Sequence, residues 1–176
     1  MNVLHTLQQA DLRLFARLFN QGRRRLVVPL ARAISRSGDG YLHVLLPLIV
    51  WLSGSASAGD LSRVLLLSVA VERVVYWSIK NSLRRRRPAD YMPEFESVII
   101  ASDRFSFPSG HTSCAFLLAT TCTLTIGAPV AALYLWATAV GLSRVVLGVH
   151  FPGDTVAGAL MGSGIAMGCA AWVGAW

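Results

Sequence analysis

Two histidines and an aspartate have the residue types and spacing of a phosphoryl-transfer site. His150 and Asp154 are four residues apart, so the carboxylate can bind one ring nitrogen and turn the other toward a substrate. His111 closes a separate motif that begins at Pro108. One imidazole can attack phosphorus to give a phosphohistidine, while the other protonates the departing oxygen and later activates water.

Fixed positive charges and a helix start complete this set. Lys80, Arg87 and Arg144 can neutralise a phosphoryl group and the charge on its equatorial oxygens. The Ser109 hydroxyl and the amides of Ser109 and Gly110 are predicted at a helix N-terminus, where anions are favoured. This combination predicts a phosphate-binding site that needs neither a metal ion nor another cofactor.

The elements that position these residues are predicted to be membrane helices. Of 176 residues, 54% are hydrophobic and only 14% are charged, which favours a bilayer over water as the surrounding solvent. Five stretches approach the length that a crossing needs. The sequence therefore predicts an all-α integral membrane bundle with about five transmembrane helices, at 41–56, 60–80, 109–126, 128–147 and 153–175.

The order of these stretches places all three motifs at one end of the bundle. A polar loop, 81–108, joins the first motif to the second on one side of the membrane. The chain then crosses, returns and brings the third motif, Ser143 to Asp154, back to that side. Convergence is modest support by itself, and the chemistry of the residues makes it much stronger.

The N-terminal segment is predicted to lie along the membrane surface. Apolar residues recur at helical spacing from Leu4 to Phe19, with Arg13 and Arg17 on another face. A second short amphipathic element is predicted to stop near Gly38. We therefore divide the chain into an interfacial segment, 1–37, and a transmembrane catalytic core, 38–176.

The three motifs together resemble those of the type 2 phosphatidic acid phosphatase family, which shares its site with vanadium haloperoxidases. The matching segments are Lys80 to Pro88, Pro108 to His111, and Ser143 to Asp154, and the resemblance covers roughly 38–175. It implies that His150 is the nucleophile, Asp154 its orienting carboxylate and His111 the general acid. It also implies that the phosphate ligands are Lys80, Arg87, Ser109, Gly110 and Arg144.

Several other polar residues are interpreted without a catalytic role. We interpret Arg84–Arg86 as a solvated or lipid-attracting basic run. Glu72 and Arg73 fall inside a predicted span, where ionisable groups face the protein interior, and a structural pair is favoured over a contact with the site. His5 and His43 lie outside the motifs and are treated as non-catalytic.

Small and aromatic residues predict packing and membrane position. Gly158 and Gly162 are four residues apart, as are Gly164 and Gly168, so a neighbouring helix backbone can approach closely at both pairs. The aromatic residues suited to the membrane interface are Tyr76, Trp77, Trp136 and Trp176. The cysteines Cys114, Cys122 and Cys169 are interpreted as small buried hydrophobes.

The predicted function is hydrolysis of a phosphomonoester or diphosphate on a lipid. Polyprenyl phosphate or diphosphate, phosphatidylglycerol phosphate and phosphatidic acid all remain candidate substrates. Phosphoryl transfer between lipids at the same site is the alternative, and a non-catalytic anion-binding or lipid-binding membrane protein is the lesser one. The partners expected are the lipid substrate and the bilayer, with no nucleic acid and with the oligomeric state left open.

Charge distribution bears on the orientation in a bacterial inner membrane. Of the sixteen basic residues, Arg63 flanks the opposite face and Arg73 lies within a span, which leaves fourteen on the active-site side. The positive-inside rule then favours a cytoplasmic site. Phosphate ligands contribute to the same count, so topology and ligand binding both remain explanations for it.

Overall fold

The computed structural model describes residues 3–22, 25–92 and 94–175, which are helices joined by loops and turns. A 3-10 turn spans Ala128–Ala132. Among the described residues there is no β-strand. The helices are α1 (Val3–Gly22), α2 (Val27–Ser37), α3 (Tyr41–Leu52), α4 (Ala58–Leu83), α5 (Pro88–Tyr91), α6 (Gly110–Ile126), α7 (Leu133–Val146) and α8 (Pro152–Val173).

Helix α6 is the centre of the bundle and packs against α4, α7 and α8. Leu117 and Leu118 of α6 are fully buried against Leu61 and Leu65 of α4. Since α6 begins and α4 ends at the same end of the bundle, this packing holds the second motif beside the first.

Glycines allow α8 to lie directly on α6. A Cβ added at Gly158 would stand 2.5 Å from the carbonyl oxygen of Ser109, and one at Gly162 would overlap the Ser113 carbonyl. The close approach predicted at this pair is confirmed. At Gly164 and Gly168 no described residue lies within 4 Å of an added Cβ, so the prediction of close packing there is wrong within the described part of this chain.

The five predicted spans correspond to helices of unequal length. Two segments, Ala128–Val146 and Pro152–Val173, are long and apolar enough to cross a membrane. Helix α3 has only 12 residues, and at 1.5 Å per residue it is shorter than a bilayer core. Helix α4 has 26 residues but contains several charges. The all-helical class is confirmed, while the count of five crossings stays a prediction.

The N-terminal helices form where the amphipathic pattern predicts them, with α2 ending immediately before Gly38. Helix α1 also packs into the bundle, against α7 and α8. Phe15 and Phe19 are buried in a cluster with Val145 and Phe151. One face of α1 thus belongs to the core, and its position at the membrane surface stays a prediction.

Candidate active site

The three motifs meet at one end of the bundle, around a cavity of about 610 Å³. The predicted site residues that line it are Arg87, Gly110, His111, Arg144 and His150. Lys80, Ser109 and Asp154 are buried immediately behind that wall. The predicted convergence is therefore confirmed, although the residues divide into a lining group and a supporting group.

His150 reaches the cavity from the short loop between α7 and α8. Gly148 takes a positive φ of 78° in this loop, a conformation that glycine adopts without steric cost. An added Cβ there would stand 2.8 Å from the Phe95 ring and 3.0 Å from the Phe19 ring. The loop is thus pressed against the aromatic cluster, which limits the positions that the His150 ring can take.

The His150 imidazole has one nitrogen toward Asp154 and the other toward a cation. Nδ1 lies 3.5 Å from Oδ2 of Asp154, a close electrostatic contact but long for a hydrogen bond. Nε2 lies 3.5 Å from a guanidinium nitrogen of Arg87. Burial lowers the pKa of His150 to about 4, against the opposing effect of Asp154. The ring is therefore neutral at pH 7, the form that a nucleophile requires.

Asp154 is held from two further directions. Its Oδ2 accepts a hydrogen bond of 2.8 Å from the Phe151 amide at the start of α8, while Oδ1 forms a 2.6 Å ion pair with Arg85. Arg85 also binds Asp11 of α1 at 2.6 Å, and Asp11 accepts from the Gly153 amide at 2.8 Å. The interpretation of Arg85 as part of a solvated run is wrong.

This network keeps Arg85 charged. Burial alone would lower the pKa of Arg85, but the charges of Asp154 and Asp11 outweigh burial and raise it. Arg84 and Arg86 remain exposed, as the solvated interpretation requires. One arginine of the run therefore supports the nucleophile's carboxylate while its two neighbours do not.

His111 has a carboxylate partner that the sequence motifs did not indicate. Its Nε2 lies 2.8 Å from Oδ1 of Asp39, in the turn between α2 and α3. Nδ1 has no hydrogen-bond partner in the described part of the chain. Asp39 can stabilise a protonated His111 ring, which leaves Nδ1 as the nitrogen that can exchange a proton with a substrate.

Asp103 was also missed, and it binds two of the predicted phosphate ligands. Lys80 donates to Asp103 Oδ2 at 2.9 Å, and Arg87 forms a 2.6 Å ion pair with Oδ1. Burial would raise the pKa of Asp103, but hydrogen bonds from Tyr76, Lys80 and Arg87 overcome this and lower the pKa to about 2. Asp103 is therefore ionised and holds both cations in register.

Tyr76 is part of the same cluster rather than a membrane-interface residue, so that prediction is wrong for it. Its ring is buried, and its hydroxyl donates to Asp103 at 2.7 Å and accepts from Lys80 at 2.5 Å. A Cβ added at Gly110 would lie 3.0 to 3.2 Å from the Tyr76 ring and hydroxyl. Glycine at this position lets α6 begin against the tyrosine. Trp176 lies outside the described residues.

Arg144 is the predicted phosphate ligand with donors left unpaired. It is buried and donates one hydrogen bond of 2.6 Å, to the Ser35 hydroxyl of α2. Its Nε is buried without a partner among the described residues. A buried unpaired donor is costly, and an anion in the cavity that the residue lines would satisfy it.

Ser109 fits its predicted role only in part. It precedes α6 as expected, but its amide donates to the backbone carbonyl of Asp154 at 3.0 Å, so the prediction of a free Ser109 amide is wrong for this conformation. Its hydroxyl oxygen accepts from Thr112 at 2.9 Å. The Ser109 amide therefore ties α6 to α8, while its hydroxyl as a phosphate ligand stays a prediction.

The other residues are an ion pair within α4, three cysteines and two histidines. The predicted pairing of Glu72 with Arg73 is confirmed by an ion pair of 2.5 Å. Cys122 and Cys169 are buried as predicted, whereas Cys114 is half-buried and lines the cavity. His43 lines the cavity too and contacts the Cys114 carbonyl at 3.1 Å. The side chain of His5 lies outside the described residues.

A family model described as the PAP2 superfamily matches residues 62–176. This match includes all three motifs and more than half of the chain. The protein therefore belongs to the PAP2 superfamily, whose members include lipid phosphatases.

The curated proteins similar to this chain include two mycobacterial phosphatases. The decaprenylphosphoryl-5-phosphoribose phosphatase of Mycolicibacterium smegmatis is 39% identical over 80 residues, 46% of this chain and 42% of that protein. The match thus spans less than half of that relative's length. The protein of the same name from Mycobacterium tuberculosis is 29% identical over 136 residues, 76% of this chain and 73% of that protein.

Two crystal structures share the fold. LpxE of Aquifex aeolicus superposes with a TM-score of 0.78 at 28% identity, covering 90% of this chain and 93% of LpxE. The transmembrane PAP2-type phosphatidylglycerolphosphate phosphatase of Bacillus subtilis superposes with a TM-score of 0.73 at 21% identity, covering 96% of this chain and 87% of that one. Together with the two apolar helices, these similarities indicate a membrane-associated protein.

Proposed function

We propose that this protein is a membrane lipid-phosphate phosphatase that works through a phosphohistidine on His150. The observation that carries the proposal is a buried imidazole between the Asp154 carboxylate and the cation Arg87, in a cavity that His111 and Arg144 also line. The relatives named as phosphatases support a hydrolase acting on phosphate esters.

In the first step, Nε2 of His150 attacks phosphorus and the bond between phosphorus and the lipid oxygen breaks. His111 gives a proton to the leaving oxygen, which departs as an alcohol, or as a phosphate where the substrate is a diphosphate. Lys80, Arg87 and Arg144 offset the charge on the equatorial oxygens. Protein cations thus perform the charge stabilisation, and the proposed step uses no metal ion.

In the second step, His111 takes a proton from water as the water oxygen attacks the phosphohistidine. The phosphorus–nitrogen bond breaks, inorganic phosphate leaves and His150 returns to its neutral form. Asp154 stabilises positive charge on the His150 ring in both steps, because it faces Nδ1 while Nε2 reacts. An acceptor lipid in place of water would give the transferase reaction.

The substrate class follows from where the site lies. The cavity is at the end of apolar helices, so a lipid tail can stay in the bilayer while its phosphate reaches the histidines. Polyprenyl phosphate and diphosphate, phosphatidylglycerol phosphate, phosphatidic acid and the decaprenyl phosphoribose lipid named for the mycobacterial relatives are the candidates. We place the protein in a bacterial inner membrane as a multi-pass protein, with the site on the cytoplasmic side.

Replacing His150 with Asn tests the nucleophile. Release of phosphate from a panel of lipid phosphates should fall at least about a thousandfold, because loss of a covalent nucleophile removes the main reaction path. The wild-type protein should form an acid-labile, alkali-stable phosphoryl adduct that the variant lacks, and vanadate should inhibit it by mimicking pentacoordinate phosphorus. Undiminished turnover by the variant would overturn the assignment.

A further inference from the structure

We propose that Arg73 forms a second anion subsite in the same cavity, which binds a phosphodiester of the substrate while the terminal phosphomonoester lies by His150. The subsite rests on the proposed function, because it binds the inner part of the same lipid. It narrows the substrate to lipids that carry two phosphates joined by a short polyol or sugar.

Arg73 is a charged residue in the middle of α4, where an ionisable side chain marks a functional site by default. Its side chain is 43% exposed and lines the cavity together with Val69 and Trp77. The proposed reaction steps do not use it. Arg73 therefore adds a cation to the α4 wall of the cavity, beside Val69 and Trp77, and His111 and His150 line the same cavity.

The contacts of Arg73 hold its guanidinium still and leave one edge free. Nε donates to Oε2 of Glu72 at 2.6 Å, and Nη2 donates to the Cys114 sulfur at 3.3 Å. Glu72 is fully buried, so it anchors the guanidinium from the protein side. Nη1 has no partner in the part of the chain that the structure describes, and its donors can bind an anion.

Tyr76 contacts both this cation and one cation of the phosphate site. The Arg73 guanidinium lies 4.6 Å from the centroid of the Tyr76 ring, and the Lys80 ammonium lies 4.4 Å from it. The two cations are therefore no more than about 9 Å apart, and both contact the same aromatic ring. An anion at each could belong to a single small headgroup.

The sequence of α4 orders the parts of such a lipid along the cavity. Lys80, Tyr76, Arg73 and Val69 are spaced four, three and four residues apart, which places them on one face of the helix. From Lys80 to Val69 these residues present a cation, an aromatic ring, a second cation and an aliphatic side chain. A terminal phosphate, a polyol, a phosphodiester and a hydrocarbon tail would meet them in that order.

Phosphate spacing then separates the candidate lipids. Phosphatidic acid has one phosphate and nothing for Arg73 to bind. In a lipid diphosphate the two phosphorus atoms share one oxygen, so both fall within the Lys80, Arg87 and Arg144 group. A glycerol or pentose bridge puts several bonds between them, a spacing that fits within the upper limit of about 9 Å between the Arg73 and Lys80 charges. The cavity, at about 610 Å³, has the volume of an ordinary small-molecule site.

The test compares two lipids with identical acyl chains in mixed micelles: phosphatidylglycerol phosphate, with a monoester and a diester, and phosphatidic acid, with the monoester alone. The measured quantity is kcat/KM for phosphatidylglycerol phosphate divided by kcat/KM for phosphatidic acid. We expect Arg73→Gln to lower this ratio at least tenfold, mainly by raising the KM for phosphatidylglycerol phosphate. Arg73→Lys should retain most of the preference. Arg63→Gln is the matched control, an arginine of α4 paired with its neighbour Asp60, and should leave the ratio unchanged.

Since Arg73→Gln leaves Glu72 buried without its cation, the double variant Glu72→Gln/Arg73→Gln is measured in parallel, and each variant's thermal unfolding is recorded. The same drop in ratio in the double variant supports the subsite. If the wild-type protein hydrolyses both lipids and the ratio of kcat/KM values is unchanged in Arg73→Gln and in the double variant, the subsite alone is overturned. A wild-type protein that hydrolyses neither of these two lipids overturns the subsite, and one that releases phosphate from no lipid of the wider panel used for His150→Asn overturns the proposed function as well.

Discussion

Each reactive side chain at this site has a second residue that fixes its state. Asp154 faces His150, and Arg85 in turn binds Asp154. Asp39 faces His111. Asp103 binds two cations and is itself kept ionised by them. The site is a set of paired charges, so changing a supporting residue such as Arg85 should alter the rate even though Arg85 binds Asp154 and not a reacting group.

Arg85 gives the sharpest test at this scale. Arg85→Gln should lower kcat about tenfold or more with KM little changed, because Asp154 loses the charge that orients it toward His150. Arg85→Lys should restore part of the rate. The matched control is Arg84→Gln, an exposed neighbour in the same run, which should behave like the wild type. Equal effects of Arg84→Gln and Arg85→Gln on kcat would contradict a positioning role.

The sequence indicated the site residues that belong to short local motifs, and it did not indicate those whose partners are distant in the chain. His150 and Asp154 share one helix start, and His111 follows a recognisable turn, so spacing alone indicated them. Asp39 and Asp103 lie 72 and 23 residues from the partners they bind, His111 and Lys80. Those pairings depend on how α2, α3 and the loop after α4 fold over the site, and no periodicity encodes them.

At the scale of the elements, the contact between α6 and α8 determines the shape of the site. Ser109 at the start of α6 bonds to the Asp154 backbone in α8, and the glycines of α8 lie against the backbone of α6. These two helices therefore set the distance between the second and third motifs. The small residues predicted that a helix would pack closely on this stretch, but not which helix it would be or which glycine pair would make the contact.

Gly162→Ala should expose this dependence. The added methyl would overlap the Ser113 carbonyl, and relief requires the helices to separate, at a cost of about 1 to 3 kcal/mol or more. We expect a lower thermal unfolding temperature in detergent and reduced kcat. Gly164→Ala, on an open face of the same helix, should unfold at the wild-type temperature or slightly above it. Indistinguishable melting of the two variants would refute the close-contact explanation.

At the scale of the whole molecule, the polar and catalytic features are concentrated at one end. The loop after α4, the starts of α6 and α8 and the turn before α3 all surround the cavity. The opposite end has short connections, such as the turn before α4. Sequence hydropathy predicted this polarity, but it could not fix the number of crossings, because α3 is shorter than its predicted stretch and α4 contains several charges.

Sidedness can be measured directly with engineered thiols. Glu96→Cys marks the active-site end, and Ser55→Cys marks the other end; both positions are exposed. In intact cells an impermeant maleimide should label Ser55→Cys and spare Glu96→Cys, because the excess of basic residues predicts a cytoplasmic site. The unsubstituted protein gives the background from its three native cysteines. Reversed labelling would place the site outside the cell.

The residues before residue 62 affect how this protein should be compared with its relatives. Asp11, Asp39 and His43 all lie before the region that the family model matches, yet they bind Arg85, His111 and the wall of the cavity. A search seeded on the shared motifs would group enzymes by reaction and overlook these residues. Relatives with different N-terminal helices could therefore catalyse the same reaction at different rates and on different lipids. Substrate assignments should be transferred only between proteins that align from α1 onward.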